Sequence, residues 1–237
     1  MKKLSSVALL VTSLFSAHVM AEQITDKTFI DDTSYALGVA MGKQLEDMVA
    51  SQKEVIQFNT SRILAGVEDS LQGKVTLSDQ EIGERLQALS TKLAEIEKAE
   101  LEKAGEEAKK QGDEFRANYA KQAGVKQTSS GLLYKIEKEG EGVSPKPEDT
   151  VEVHYVGKLV DGTEFDSSVK RGQPVEFKLD QLIPGWIEGL QLIKKGGKIE
   201  LVLPPELGYG DQAGWQLPPN STLIFDIELL DVKPAEK

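Results

Sequence analysis

Reactive side chains are scarce in this chain. It has no cysteine and two histidines, one of which, His18, lies in an apolar N-terminal stretch. A Ser-His-Asp triad would have to use His154. Along residues 151–159, however, Val151, Val153, Tyr155 and Leu159 share one face of an alternating strand, while Glu152, His154 and Lys158 take the other. His154 therefore points away from Tyr155 and from any basin on that side. Metal ligands are equally short, and the run Asp161-Gly162-Thr163-Glu164-Phe165-Asp166 misses the spacing of a calcium loop. The glycines from Gly208 to Gly214 follow prolines and lead into no helix, which excludes a dinucleotide-binding turn. What stands out instead is a set of aromatic residues that recur beside turns.

Those rings need a scaffold, and residues 151–231 provide one. Asp161-Gly162 is a hairpin signal between two apolar runs. Ile183-Pro184-Gly185-Trp186 opens a short amphipathic stretch through Ile187, Leu190 and Ile193, and residues 201–205 and 222–229 read as strands. Strands dominate and one short helix interrupts them, so a sheet wrapped around that helix would leave a shallow aromatic basin. Taken singly, each ring could equally be core, and Asp166-Ser167-Ser168 could simply cap a turn.

This stretch resembles an FKBP-type peptidyl-prolyl cis-trans isomerase domain, through residues 153–157, Asp161-Gly162-Thr163, residues 165–168, Pro184-Gly185-Trp186, Tyr209-Gly210, Pro218-Pro219 and residues 222–228. The resemblance implies rotation about X-Pro bonds without cofactor or metal. A peptide bond resists rotation by about 18–20 kcal/mol because resonance makes it partly double. Twisting removes charge separation, so a dry apolar slot favours the twisted state, and one or two hydrogen-bonding groups can hold its carbonyl. By resemblance, Trp186 floors the slot and Tyr155, Phe165 and Phe225 wall it, with Phe177, Leu182, Ile183 and Leu217 completing the substrate contacts. The Tyr209 hydroxyl and the Ile183 amide would hold carbonyls, and Asp166 would orient the amide and pair with Arg171. Val175, where many members carry an aromatic residue, and the loop with Trp215 depart from the family pattern and bear on substrate preference.

The rest of the chain reads as helix. Residues 1–21, with Lys2, Lys3, an apolar core and a small-residue end at Ala21, read as a cleavable export signal too short to span a bilayer. That places the mature protein in the periplasm or at the outer surface. The formal net charge is −11, and losing Lys2 and Lys3 makes it more negative still. Such acidity disfavours nucleic acid and anionic lipid and suits solubility. Residues 22–77 read as a helical module. From Asp31, the stripe Tyr35, Leu37, Val39, Met41, Leu45 and Met48 carries interleaved small residues, and Asn59 or Thr60 caps a second helix that stops at Gly73. Two such helices bury little alone, which predicts pairing with a second copy.

Ser78-Asp79-Gln80-Glu81 has the form of a capping box opening a long helix, 78–123, with Ile82, Leu86, Leu89, Leu93 and Ile96 at heptad spacing. At 1.5 Å per residue it would be roughly 65–70 Å long. Its second half, with Ala104, Ala108, Phe115 and Tyr119 among charges, reads as a solvated strut that can bend at Gly105 and Gly112. Residues 125–130 read as a hinge at the start of the 124–237 domain.

The expected class is thus α+β: an all-α dimerisation module, a connecting helix, and an antiparallel sheet wrapped around a short helix. This layout resembles the periplasmic FkpA and macrophage infectivity potentiator branch of the family. The resemblance implies a homodimer acting on unfolded or partly folded proline-containing chains, with sensitivity to the family's macrolide inhibitors. Two basins on paired arms would also serve a client-holding chaperone. Removing residues before about Thr128 should then spare peptide turnover.

Overall fold

The computed structural model describes residues 24–212 and 217–235. The expected export signal and Trp215 lie outside them. The chain divides into two compact units, Met1–Ser78 and Asp79–Lys237.

In the first unit, helix α1 spans Lys27–Ser51 and helix α2 spans Thr60–Leu71. Helix α1 begins four residues before the expected Asp31 because Asp26 caps it, its carboxylate accepting from the Phe29 N–H at 3.1 Å. Asn59, not Thr60, caps α2 by accepting from Arg62 N–H at 3.1 Å. Gly73, with φ +65°, sits just beyond α2. No described residue of this unit is buried. Tyr35, Leu37 and Met41 remain more than half exposed.

The second unit opens with helix α3, Asp79–Tyr119. One more turn follows, with Ala120 N–H donating to Arg116 C=O, and Gly124 at φ +83° turns the chain away. Among the described residues, seven strands form one antiparallel sheet: β1 Lys126–Gln127, β2 Leu133–Lys138, β3 Thr150–Lys158, β4 Glu164–Ser167, β5 Val175–Lys178, β6 Lys198–Leu203 and β7 Leu223–Lys233. Their order is β1-β2-β6-β7-β3-β4, with β5 also on β3. Asp161-Gly162 makes the β3–β4 turn, where Gly162 takes φ +87° and Leu159 N–H donates to Thr163 C=O at 2.9 Å. Helix α4, Pro184–Leu190, packs against β6.

Alternation along the strands gives the sheet two buried faces. Val151, Val153 and Tyr155 of β3, Ile199, Leu201 and Leu203 of β6, and Leu223, Phe225, Ile227 and Leu229 of β7 join Trp186 and Leu190 of α4 in the main core. On the opposite face, Leu133, Val202 and Ile224 are cross-strand neighbours. They are covered by Phe115, Tyr119 and Val125. Tyr119 stacks on Phe115 at 5.9 Å and donates its hydroxyl to the Glu200 carboxylate.

This second face corrects three expectations. The end of α3 is not a solvated strut: Gly105, Gly112 and Tyr119 are buried. The two glycines are not bends but points of close approach, each costing about 1 kcal/mol of helix propensity relative to alanine. A β-carbon at Gly105 would stand 3.1 Å from Pro219 Cβ, and one at Gly112 would collide with Thr222. Residues 125–130 are not a hinge either, since β1 pairs with β2 and Thr128 N–H donates to Leu132 C=O at 3.0 Å. A cut before Thr128 would therefore strip the cover from Leu133, Val202 and Ile224 rather than trim a spacer.

The outer edge of β3 is divided. Strand β5 pairs with residues 150–153, and β4 with residues 156–158. In the gap, buried Ser168 accepts from Tyr155 N–H through Oγ at 2.8 Å and donates its own N–H to Tyr155 C=O at 3.1 Å. Residues 168–174 connect β4 to β5 and carry Arg171.

Candidate active site

The divided edge and α4 together leave a hollow of about 330 Å³. It is lined by Tyr155, Phe165, Asp166, Phe177, Gln181, Leu182, Ile183, Trp186, Tyr209 and Phe225. Pro184 at the first position of α4 fixes the entry to that helix and sets Trp186 on its inward side. Three rings meet Trp186 nearly edge-on: Tyr155 at 5.1 Å and 85°, Phe225 at 5.2 Å and 88°, and Phe177 at 6.0 Å and 90°. Such T-shaped contacts match ring edges to ring faces and fix the rings' orientation. Gly157 makes the remaining wall possible. A β-carbon there would stand 2.8 Å from the Phe165 ring and 2.9 Å from the Phe225 ring, which pack edge-on at 5.6 Å.

Polar groups gather at one side. The Tyr155 hydroxyl donates to Asp166 Oδ2, Arg171 pairs with Asp166 Oδ1, and Arg171 Nη2 donates to the Tyr155 oxygen at 2.9 Å. The guanidinium also lies 5.6 Å from the Tyr155 ring centre. Burial pushes the Asp166 carboxyl up, but hydrogen bonds from Tyr155 and Arg171 outweigh it and hold the group below its ordinary value. Burial, followed by the bond to Asp166, raises Tyr155. Burial and the charge of Asp166 raise Tyr209, so its hydroxyl remains a neutral donor at neutral pH.

Of the residues expected at the slot, Tyr155, Phe165, Asp166, Phe177, Leu182, Ile183, Trp186, Tyr209 and Phe225 line the hollow. Arg171 stands behind Asp166, and Leu217 is buried in the core outside the lining. Gln181, in the one-turn 3-10 helix Leu179–Gln181, lines the hollow and was missed. It carries no local signal beyond its place two residues before Ile183. His154 faces the other way, its Nδ1 lying 3.1 Å from Ser168 Oγ.

Residues 141–230 match the family described as FKBP-type peptidyl-prolyl cis-trans isomerase, and residues 30–136 match the domain amino terminal to FKBP-type peptidyl-prolyl isomerase. A probable FKBP-type isomerase of Haemophilus influenzae is 54% identical over 239 residues, covering 100% of this chain and 98% of the relative. The chain belongs to the FKBP-type peptidyl-prolyl cis-trans isomerases. FkpA of Escherichia coli K12 is 48% identical over 206 residues, which cover 86% of this chain and 76% of that protein. The crystal structure of FkpA from Escherichia coli superposes with a TM-score of 0.71, covering 86% of this chain and 97% of that one. The FKBP assignment makes this an enzyme that interconverts cis and trans X-Pro bonds, on an α+β scaffold of N-terminal helices, a long helix and an antiparallel sheet. No described helix is long and apolar enough to cross a membrane.

Proposed function

We propose that the hollow speeds X-Pro rotation by desolvating the amide and holding its twisted form, with no covalent intermediate. The observation that carries this reading is the set of three edge-on aromatics around buried Trp186, with Asp166, Tyr155 and Tyr209 in the same lining. The proline ring enters the apolar part, against Trp186, Phe177, Leu182 and Phe225. Planar amides are charge-separated and gain most from water, so excluding water raises the planar state relative to the twisted one. Phe165 and Tyr155 wall the bond that turns. The Ile183 N–H and the Tyr209 hydroxyl donate to substrate carbonyls, and Asp166, kept ionised by Arg171 and Tyr155, orients the amide region. Leu217 supports this wall from within the core.

The clients on this reading are proline-containing unfolded or partly folded chains exported to the periplasm, and macrolide inhibitors of the family compete for the same hollow. The exposed apolar side chains of α1 support pairing of two copies through the N-terminal helices, with client holding as a second role. Prolyl exchange of a short peptide by the mature protein, measured beside its mass in solution, tests both parts. Asp166→Ala and Tyr209→Phe are expected to slow exchange with the fold retained, and unchanged rates in both would overturn the site. A mass of one chain would overturn the dimer. Deleting residues 24–78, rather than everything before Thr128, is the cut that tests client holding. Full suppression of client aggregation by that shortened chain would count against a holding role for the N-terminal helices.

A further inference from the structure

The second half of α3 touches the isomerase domain at two places that lead directly to the hollow. Gly105 abuts Pro219 and Asn220, where an added β-carbon would lie 3.4 Å from the Asn220 side-chain nitrogen. Asn220, at φ +58°, is the one non-glycine residue with positive φ among the described residues. Its backbone N–H donates to the Gly210 carbonyl at 2.8 Å, and Gly210 N–H in turn donates to Pro205 C=O at 2.8 Å. Gly210 follows Tyr209, so the helix reaches the tyrosine through two residues. Two turns on, Gly112 lies against Thr222, whose hydroxyl accepts from Arg116. Thr222 is buried immediately before β7, and β7 delivers Phe225 to the hollow.

We infer that the second half of α3 is a positioning element of the isomerase site, fixing Tyr209 through Asn220 and Gly210 and fixing Phe225 through Thr222. This rests on Tyr209 holding a substrate carbonyl, as proposed above. A helix that only separated two modules would need neither the buried glycines nor the Arg116–Thr222 bond. A bulky residue at position 105 must either lift the helix or shift the 218–220 loop, and the second response moves Tyr209.

The test measures kcat and KM for a short prolyl peptide with the full chain carrying Gly105→Leu, Tyr209→Phe or both. Gly105→Leu is expected to lower kcat by about threefold or more, and the double variant to match Tyr209→Phe within about twofold, because a hydroxyl that is absent cannot be misplaced. Effects that multiply independently would overturn the inference. Asn220→Gly keeps the positive φ and the N–H and should behave as the parent, whereas Asn220→Val should follow Gly105→Leu. If Gly105→Leu does not fold, Gly105→Ala and Arg116→Met take its place. Backbone NMR shifts of Tyr209, Gly210 and Phe225 provide a readout independent of what the hydroxyl does. They should move in Gly105→Leu or its substitutes, and unmoved shifts would overturn the inference. Normal turnover in Tyr209→Phe combined with moved shifts would instead sink the assignment of Tyr209 and leave the positioning role standing.

Discussion

The N-terminal helices and the sheet domain solve the problem of burial in opposite ways. Between Lys27 and Leu71 not one residue is buried, although α1 carries a long apolar stripe. The sheet domain uses both of its faces, one closed by α4 and the other by the end of α3. Helices that cover no apolar face gain little from folding alone. A sheet closed on both sides is self-sufficient and can hold a hollow to tight tolerances. Stability and geometry reside in the sheet domain, while the N-terminal helices leave apolar side chains uncovered.

Four experiments test that contrast, from the largest expected effect downward. Leu201→Ala, at a site with no exposure, should cost about 2–5 kcal/mol in chemical denaturation of the sheet domain. A much smaller loss would mean that the core is loosely packed. Asp166→Ala should reduce peptide turnover about tenfold, equivalent to roughly 1.4 kcal/mol of barrier, while α1 variants such as Leu37→Ala should leave turnover unchanged. Equal sensitivity of turnover to both changes would dissolve the distinction between the regions. Asn59→Ala removes the α2 cap and should cost about 1 kcal/mol, read by hydrogen exchange as loss of protection confined to the N-terminal unit. The smallest effect is in pH. Asp166 is lowered from 3.8 and Tyr155 and Tyr209 are raised from 10.0. A carboxyl with a depressed folded-state pKa contributes stability above its unfolded pKa and loses it as pH falls through the folded one. Asp166 should stay ionised and both tyrosines neutral across the neutral range, so turnover should be flat there and decline only in strong acid or strong base. A step near neutrality would mean that a group other than Asp166, Tyr155 and Tyr209 controls turnover.

Much of this was legible in local sequence. The alternation of residues 151–159 placed Tyr155 inward and His154 outward, Asp161-Gly162 marked its turn, and Asn59 and Gly73 bracketed α2. Features that depend on distant partners were not legible. Strand β5 has only four residues, and its pairing with β3 depends on Ser168 filling the gap between two edge segments. Gln181 reaches the hollow only because the chain folds back there. Gly105 and Gly112 read as weak points because helix propensity is a property of the helix alone. Their real constraint is Pro219 and Thr222, more than a hundred residues away. Ala104, Ala108, Phe115 and Tyr119, set among charges, read as a solvated strut because nothing local said what they would meet.

The interruption of the outer border by Ser168 has one more consequence. A protein that receives extended, sticky chains risks having them zip onto its own sheet, since any straight run of unpaired amides is a template for another strand. Here one border ends in the two residues of β1, and the other is broken into two four-residue strands joined by a segment that bears Lys170 and Arg171. Neither border presents a long strand on which an extended chain could add as the next one.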